Sequence, residues 1–179
     1  MVRSTRDDIL AAAADLFAAT GFKGTSLQDI AAEVGCSKAT LLYHFDGKDA
    51  ILAALIEPAV RALAALDATV AAATDSEAAQ RTAVEGFVAL TIRFRREVAV
   101  LYADLPELLS HATFHDVPAH TERLVVAFSG GRAQPGDRVA ALLVLCGVPP
   151  VAVKSPTIDD AELGAELVQA AMRALNSGS

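Results

Sequence analysis

Between Ser37 and Lys48 the sequence sets out Ser37, Lys38, Ala39, Thr40, Tyr43, His44 and Lys48, a concentration of hydroxyls, cations, an imidazole and one small methyl. If Leu41 and Phe45, at i and i+4, face a core, Ala39, Thr40 and Tyr43 fall on the opposite side of a helix and His44 at its edge. Such groups suit base-pair edges and backbone phosphates better than bulk water. Catalysis has no comparable support. No Ser-His-Asp arrangement, carboxylate pair or phosphate loop is evident, because Gly130-Gly131 precedes Arg132 without a P-loop lysine. His111 and His115 have the i, i+4 spacing of two metal ligands, with Asp116 and His120 close by. They are read as surface or pocket histidines, and neither a metal nor a cofactor is expected. Cys36 and Cys146 are too far apart for a CxxC pair, which fits a reducing cytoplasm; Cys36 lies in the turn, where oxidation would disturb docking, but is read as a small buried residue.

The elements that must position these groups are helices. Ile9, Ala12, Ala13, Leu16 and Phe17 trace one apolar helical face, opened by a Thr5/Asp8 capping box and stopped by Gly21 in the left-handed conformation. Thr25 and Gln28 form a second capping box for a short helix through Leu27, Ile30, Ala31 and Val34, which Gly35 ends. Ser37 caps the next short helix, to Phe45. Two short helices around a glycine turn form a helix-turn-helix. Asp46 is placed to cap a long helix from Lys48 to about Ala73, bent at Pro58.

The stretch from Thr25 to Asp49 (TSLQDIAAEVGCSKATLLYHFDGKD) resembles the DNA-binding signature of the TetR family of transcriptional regulators. The resemblance covers about the first fifty residues and implies that Thr25, Tyr43, His44 and Lys48 contact phosphates. Ser37, Lys38, Ala39 and Thr40 occupy the first turn, where helix-turn-helix proteins reach bases, and the family pattern assigns base edges to Lys38, Ala39 and Thr40. Many family members carry a Tyr at the position of Leu42. The resemblance assigns that Tyr to a phosphate; the expectation here is that neighbouring Tyr43 compensates, that operator affinity is weaker than typical, or that Leu42 meets a thymine methyl.

Beyond this head the chain continues as helices. Glu77 to about Glu97, capped by Thr74-Asp75-Ser76, presents Val84, Phe87, Val88, Thr91 and Phe94. A helix with Leu124, Val125 and Phe128 lies between Pro118 and Gly130-Gly131. An apolar run from Pro135-Gly136 reaches Val148, where Pro149-Pro150 should shorten or break it, and a last helix runs from Thr157 to Asn176. The last two have more apolar surface than one core requires, which a second copy would cover. TetR-like proteins resemble this, dimerising through their last two helices. Phe87, Phe94, Tyr102, Phe114 and Phe128, with Leu101 and Leu105, are candidates to line an apolar effector cavity, with Arg93, Tyr102 or His115 as polar anchors.

The expected architecture is all-α: a helix-turn-helix head over 1–48 and a helical effector-binding and dimerisation domain over 49–179. Hydrophobic residues make up 53% of the 179, with no Trp, which favours helices over strands. Net charge is −7, and through Leu55 five Lys or Arg face seven Asp or Glu. Any DNA contact must therefore come from a few placed groups and helix N-termini rather than bulk positive charge. The uncharged stretch between Arg138 and Lys154 is shorter than a membrane span, and the N-terminus has no apolar run, so neither membrane nor secretion is expected. The reading is a TetR-like repressor binding double-stranded operator DNA as a homodimer and released by a small apolar effector. A helical protein-interaction module and a small helical enzyme are the competing classes.

Overall fold

The computed structural model describes residues 5–103 and 114–176, whose regular structure is helical, with no strand among them. They form two compact units, 5–58 with 96–103 and 59–95 with 114–176.

In the first unit α1 (Thr5–Gly24) buries Ile9, Ala13 and Phe17. Gly21 does interrupt it, at positive φ (φ 78°, ψ 163°), a conformation that favours glycine but lies outside the left-handed helical well of a helix stop, and a further turn follows before Gly24. The chain then makes α2 (Leu27–Val34), α3 (Lys38–His44) and the first turns of α4 (Lys48–Ala71). The cap before α4 is Gly47, at φ 91°, whose carbonyl accepts from the Ile51 amide, so Asp46 is not the capping residue. The helix runs on through Pro58.

The second unit holds the later turns of α4 together with α5 (Ser76–Arg93), α7 (Val117–Phe128), α8 (Pro135–Lys154) and α9 (Asp160–Asn176). Asp75 caps α5, accepting from the Ala78 amide at 2.8 Å. α5 stops at Arg93 rather than near Glu97. Phe94 leaves helical geometry without any Gly or Pro to announce it, and α6 (Arg95–Ala103) follows. Asp159 opens α9, its carboxylate accepting from the amides of Ala161 and Glu162, so Thr157 lies before the helix rather than at its start.

Pro149-Pro150 does not break α8. Two backbone donors are lost there, and helical geometry is disfavoured for the residue before each proline. Yet Val148, Pro149 and Ala152 are buried, and packing of that turn outweighs the local cost. The continuous helix is long and apolar enough to cross a membrane by length and composition alone, but it packs against α5, α7 and α9. Its outer face is a different matter: Val139 (57% exposed), Leu142, Leu143 (65%), Cys146 and Val151 stand out from the unit. On α9 Leu163, Leu167, Ala171 and Leu175 point inward, while Gly164, Val168 and Met172 are half-buried beside the expected polar stripe of Glu162, Glu166, Gln169 and Arg173.

Candidate nucleic-acid interface

Local bonds fix α2 and α3. The capping box of α2 joins Ser26 and Asp29, one residue along from the expected Thr25 and Gln28: the Ser26 hydroxyl accepts from the Asp29 amide at 3.1 Å and the Asp29 carboxylate from the Ser26 amide at 2.8 Å. Those bonds to Ser26 hold the Asp29 carboxyl below its ordinary range. Gly35 closes α2 in the left-handed conformation (φ 73°, ψ 28°), and the Cys36 amide returns to the Ala31 carbonyl, leaving Cys36 half-buried in the turn. Ser37 caps α3 by accepting from the Thr40 amide at 3.0 Å, and the two hydroxyls lie 2.8 Å apart.

α3 is held by Leu41, which is fully buried, and Phe45 at its C-terminal end. What remains outside is the expected set. Ser37, Lys38 and Ala39 are exposed, Thr40 and His44 are half-buried, and Tyr43 is 86% exposed, edge-on to His44 with 5.3 Å between ring centroids.

Two of the residues assigned to phosphates are already engaged. Thr25 is buried, with its hydroxyl donating to the Gly21 carbonyl and 2.9 Å from that of Thr20. The Lys48 ammonium donates to the carbonyls of Phe22 and Thr25, at 2.5 and 2.8 Å, and lies 4.4 Å from the Phe22 ring centroid. It clamps the α1–α2 connection to the start of α4, leaving one of its three donors for anything else. Arg6 lies outside the expected set. Its guanidinium lies 4.9 Å over the Phe45 ring, which brings an exposed cation to the end of α3. An aromatic closing a short helix is the only sequence signal for that contact.

The aromatic residues singled out for an effector are dispersed. Phe87 and Phe128 meet edge-to-face in the second unit's core, centroids 5.6 Å apart, so their rings fill the space between them. Phe94 and Phe114 are buried, Arg93 covers the Phe94 ring, and Tyr102 is exposed on α6 in the first unit. His111 and Leu105 lie outside the described residues. His115 is exposed beside Asp116, whereas His120 bonds Asp67 on α4, so these two do not share a site.

A family model described as bacterial regulatory proteins, tetR family, matches residues 9–55, which span α1 to the first turns of α4. The HTH-type transcriptional regulator RutR of Escherichia coli K12 is 44% identical over 55 residues, 31% of this chain and 26% of that protein. The biofilm operon icaADBC negative transcriptional regulator IcaR of Staphylococcus aureus is 48% identical over 46 residues, 26% of this chain and 25% of that one. Over residues 9–55 the chain is similar to the TetR family. Its match spans about a quarter of the length of each of these relatives, but the TetR-family likeness of the fold extends along the whole chain. The TetR-family regulator PfmR of Thermus thermophilus superposes with a TM-score of 0.72 at 24% identity, covering 98% of this chain and 97% of that one. The ketosteroid regulator KstR2 of Mycobacterium tuberculosis gives 0.73 at 16%, covering 96% and 95%.

Proposed function

We propose that this chain is a TetR-family transcriptional repressor that binds double-stranded operator DNA as a homodimer and is released by a small apolar effector. The observation that carries DNA binding is α3: a short helix, capped by Ser37 and anchored by Leu41 and Phe45, with Lys38, Ala39 and Tyr43 exposed. Lys38, Ala39 and Thr40 meet base edges in the major groove. Tyr43, His44, the remaining donor of Lys48 and the added cation Arg6 meet phosphates. Buried Thr25 acts by holding the α1–α2 connection, and Ser37 by capping α3.

In this reading the DNA contacts come from residues 1–48, and 49–179 supply effector binding and dimerisation. The apolar outer face of α8 supports a second copy as partner, because a stripe of this kind on a helix is otherwise left in water. The effector site is assigned to the second unit with its buried Phe87, Phe94, Phe114 and Phe128, and α4, continuous through Pro58, couples it to the head.

Selection of duplexes from a random-sequence library, followed by gel shift and footprinting of the winners, tests the proposal. The expected result is an enriched pair of half-sites about 34 Å apart, bound by a dimer with an affinity that falls steeply with salt. Absence of enrichment, or protection of a single half-site by a monomer, overturns it.

A further inference from the structure

Leu42 on α3 is 47% exposed, and among the described residues of the first unit it is the large aliphatic side chain left in solvent, while Ile9, Ile30, Leu41, Ile51 and Leu52 are buried. It neighbours exposed Ala39 at i−3 and exposed Lys38 at i−4. The result is a narrow apolar strip flanked by a cation, on the element assigned to the major groove. Two side chains, one of them alanine, are too little for the buried core of a protein interface. They match the one apolar group that a base pair displays in the major groove, the thymine C5-methyl. Thr40 is a weaker reader, since its hydroxyl already lies 2.8 Å from that of Ser37.

We infer that Ala39 and Leu42 determine specificity by packing on a thymine methyl, so that each operator half-site carries a thymine close to a guanine read by Lys38. This rests on the DNA-binding reading above and narrows it to a sequence class. Lys38 and Leu42 are one helical turn apart, about 6 Å of rise. With roughly 3.4 Å per base step, that places the two bases within about two pairs of each other.

The test uses the full chain and its selected operator, with each thymine replaced singly by deoxyuridine. That substitution removes the methyl and leaves the hydrogen-bonding groups in place. At one thymine per half-site the wild type should lose about fourfold in affinity, the equivalent of one buried methyl-sized group, and both half-sites together should give about sixteenfold. Leu42→Ala should bind the thymine operator several-fold more weakly and respond much less to the replacement. Circular dichroism confirms that the variant is folded, as expected for an exposed position where alanine favours the helix.

Wild-type affinity unchanged by deoxyuridine at every thymine overturns the inference while leaving the regulator intact. So does a selected half-site without a thymine, or a Leu42→Ala protein that keeps its full methyl sensitivity. If no duplex is enriched at all, the DNA-binding reading fails and this inference falls with it.

Discussion

The α2–α3 region and α8 are opposite solutions to presenting a surface. In the first, every turn is specified by near neighbours: Ser26 with Asp29, Gly35 at positive φ, Ser37 with Thr40. The outward side chains are polar or small, with Leu42 the apolar exception. In α8 no side-chain cap bond holds the N-terminus, two prolines stand inside the helix, and the outward side chains are Val139, Leu142, Leu143 and Val151. The first surface is complete as a monomer and poised for a polar, charged partner. The second is stable only because its inner side packs, and its outer side leaves several large apolar groups in water. A surface that water satisfies points to a transient ligand, and one that water does not satisfy points to a lasting partner.

The sharpest way to break this comparison is a charge on the outer face of α8. Leu143→Glu, at a position 65% exposed, should leave the fold of one chain unchanged, yet prevent self-association by setting two carboxylates in an apolar contact. Sedimentation should show monomer where the wild type shows dimer, and operator affinity should fall by about a hundredfold or more as the second half-site is lost. A variant that stays dimeric places the interface elsewhere.

Next in size is Lys48→Met, which keeps an apolar stem and removes the ammonium from the Phe22 and Thr25 carbonyls. Hydrogen bonds from a charged donor contribute about 1.5 to 3 kcal/mol each when well made. Partial exposure reduces this, and a loss of about 2 kcal/mol is expected in urea unfolding. Operator affinity should also fall, equally for all sequences, because a phosphate contact carries no sequence information. Normal stability with weakened DNA binding would make Lys48 a phosphate ligand alone, whereas altered sequence preference would contradict both roles.

How far the sequence discloses the molecule follows the same division. The short helices of the head are readable because caps and left-handed glycines act within four residues, and the periodic pair Leu41 and Phe45 identifies the buried side of α3. The one-residue shift from Thr25 to Ser26 at the cap of α2 shows the limit. Both residues are good caps, and Thr25 is buried with its hydroxyl on the carbonyl of Gly21, the residue at which α1 is interrupted. The clamp made by Lys48, expected only as a phosphate contact, has no local signal because its acceptors, the Phe22 and Thr25 carbonyls, lie far back in the chain. α8 departs from expectation for the converse reason. Pro149-Pro150 is a strong local stop signal, and only burial of the same turn against other helices overrides it. The end of α5 at Arg93 has no local signal at all.

The smallest effect tests whether the second unit uses charge inside as well as apolar packing. Asp67 on α4 is nearly buried, its carboxylate accepting from Arg123 Nε at 2.9 and 2.8 Å, with His120 Nδ1 at 2.7 Å. His120 Nδ1 also lies 2.9 Å from the Arg123 guanidinium. The hydrogen bonds from Arg123 hold the Asp67 carboxyl below its ordinary value, although burial acts in the opposite direction. A carboxyl depressed in the folded state adds stability that is fully present above its unfolded pKa, near 3.9, and is lost as pH falls through the lower folded value. Arg123 is half exposed and keeps its hydration when its partner is removed, so the pair lies between a surface and a buried ion pair. Asp67→Asn should therefore cost about 1 kcal/mol at pH 7. The gap from wild type should begin to narrow below about pH 4 and close as the pH falls through the lower folded value, where the wild-type carboxyl itself becomes neutral. Urea unfolding of both proteins between pH 7 and pH 2.5 measures this directly. A gap that persists unchanged to the acid end would assign the contribution to packing and neutral hydrogen bonds. No gap at pH 7 would mean that α4 and α7 are held by their apolar contacts alone.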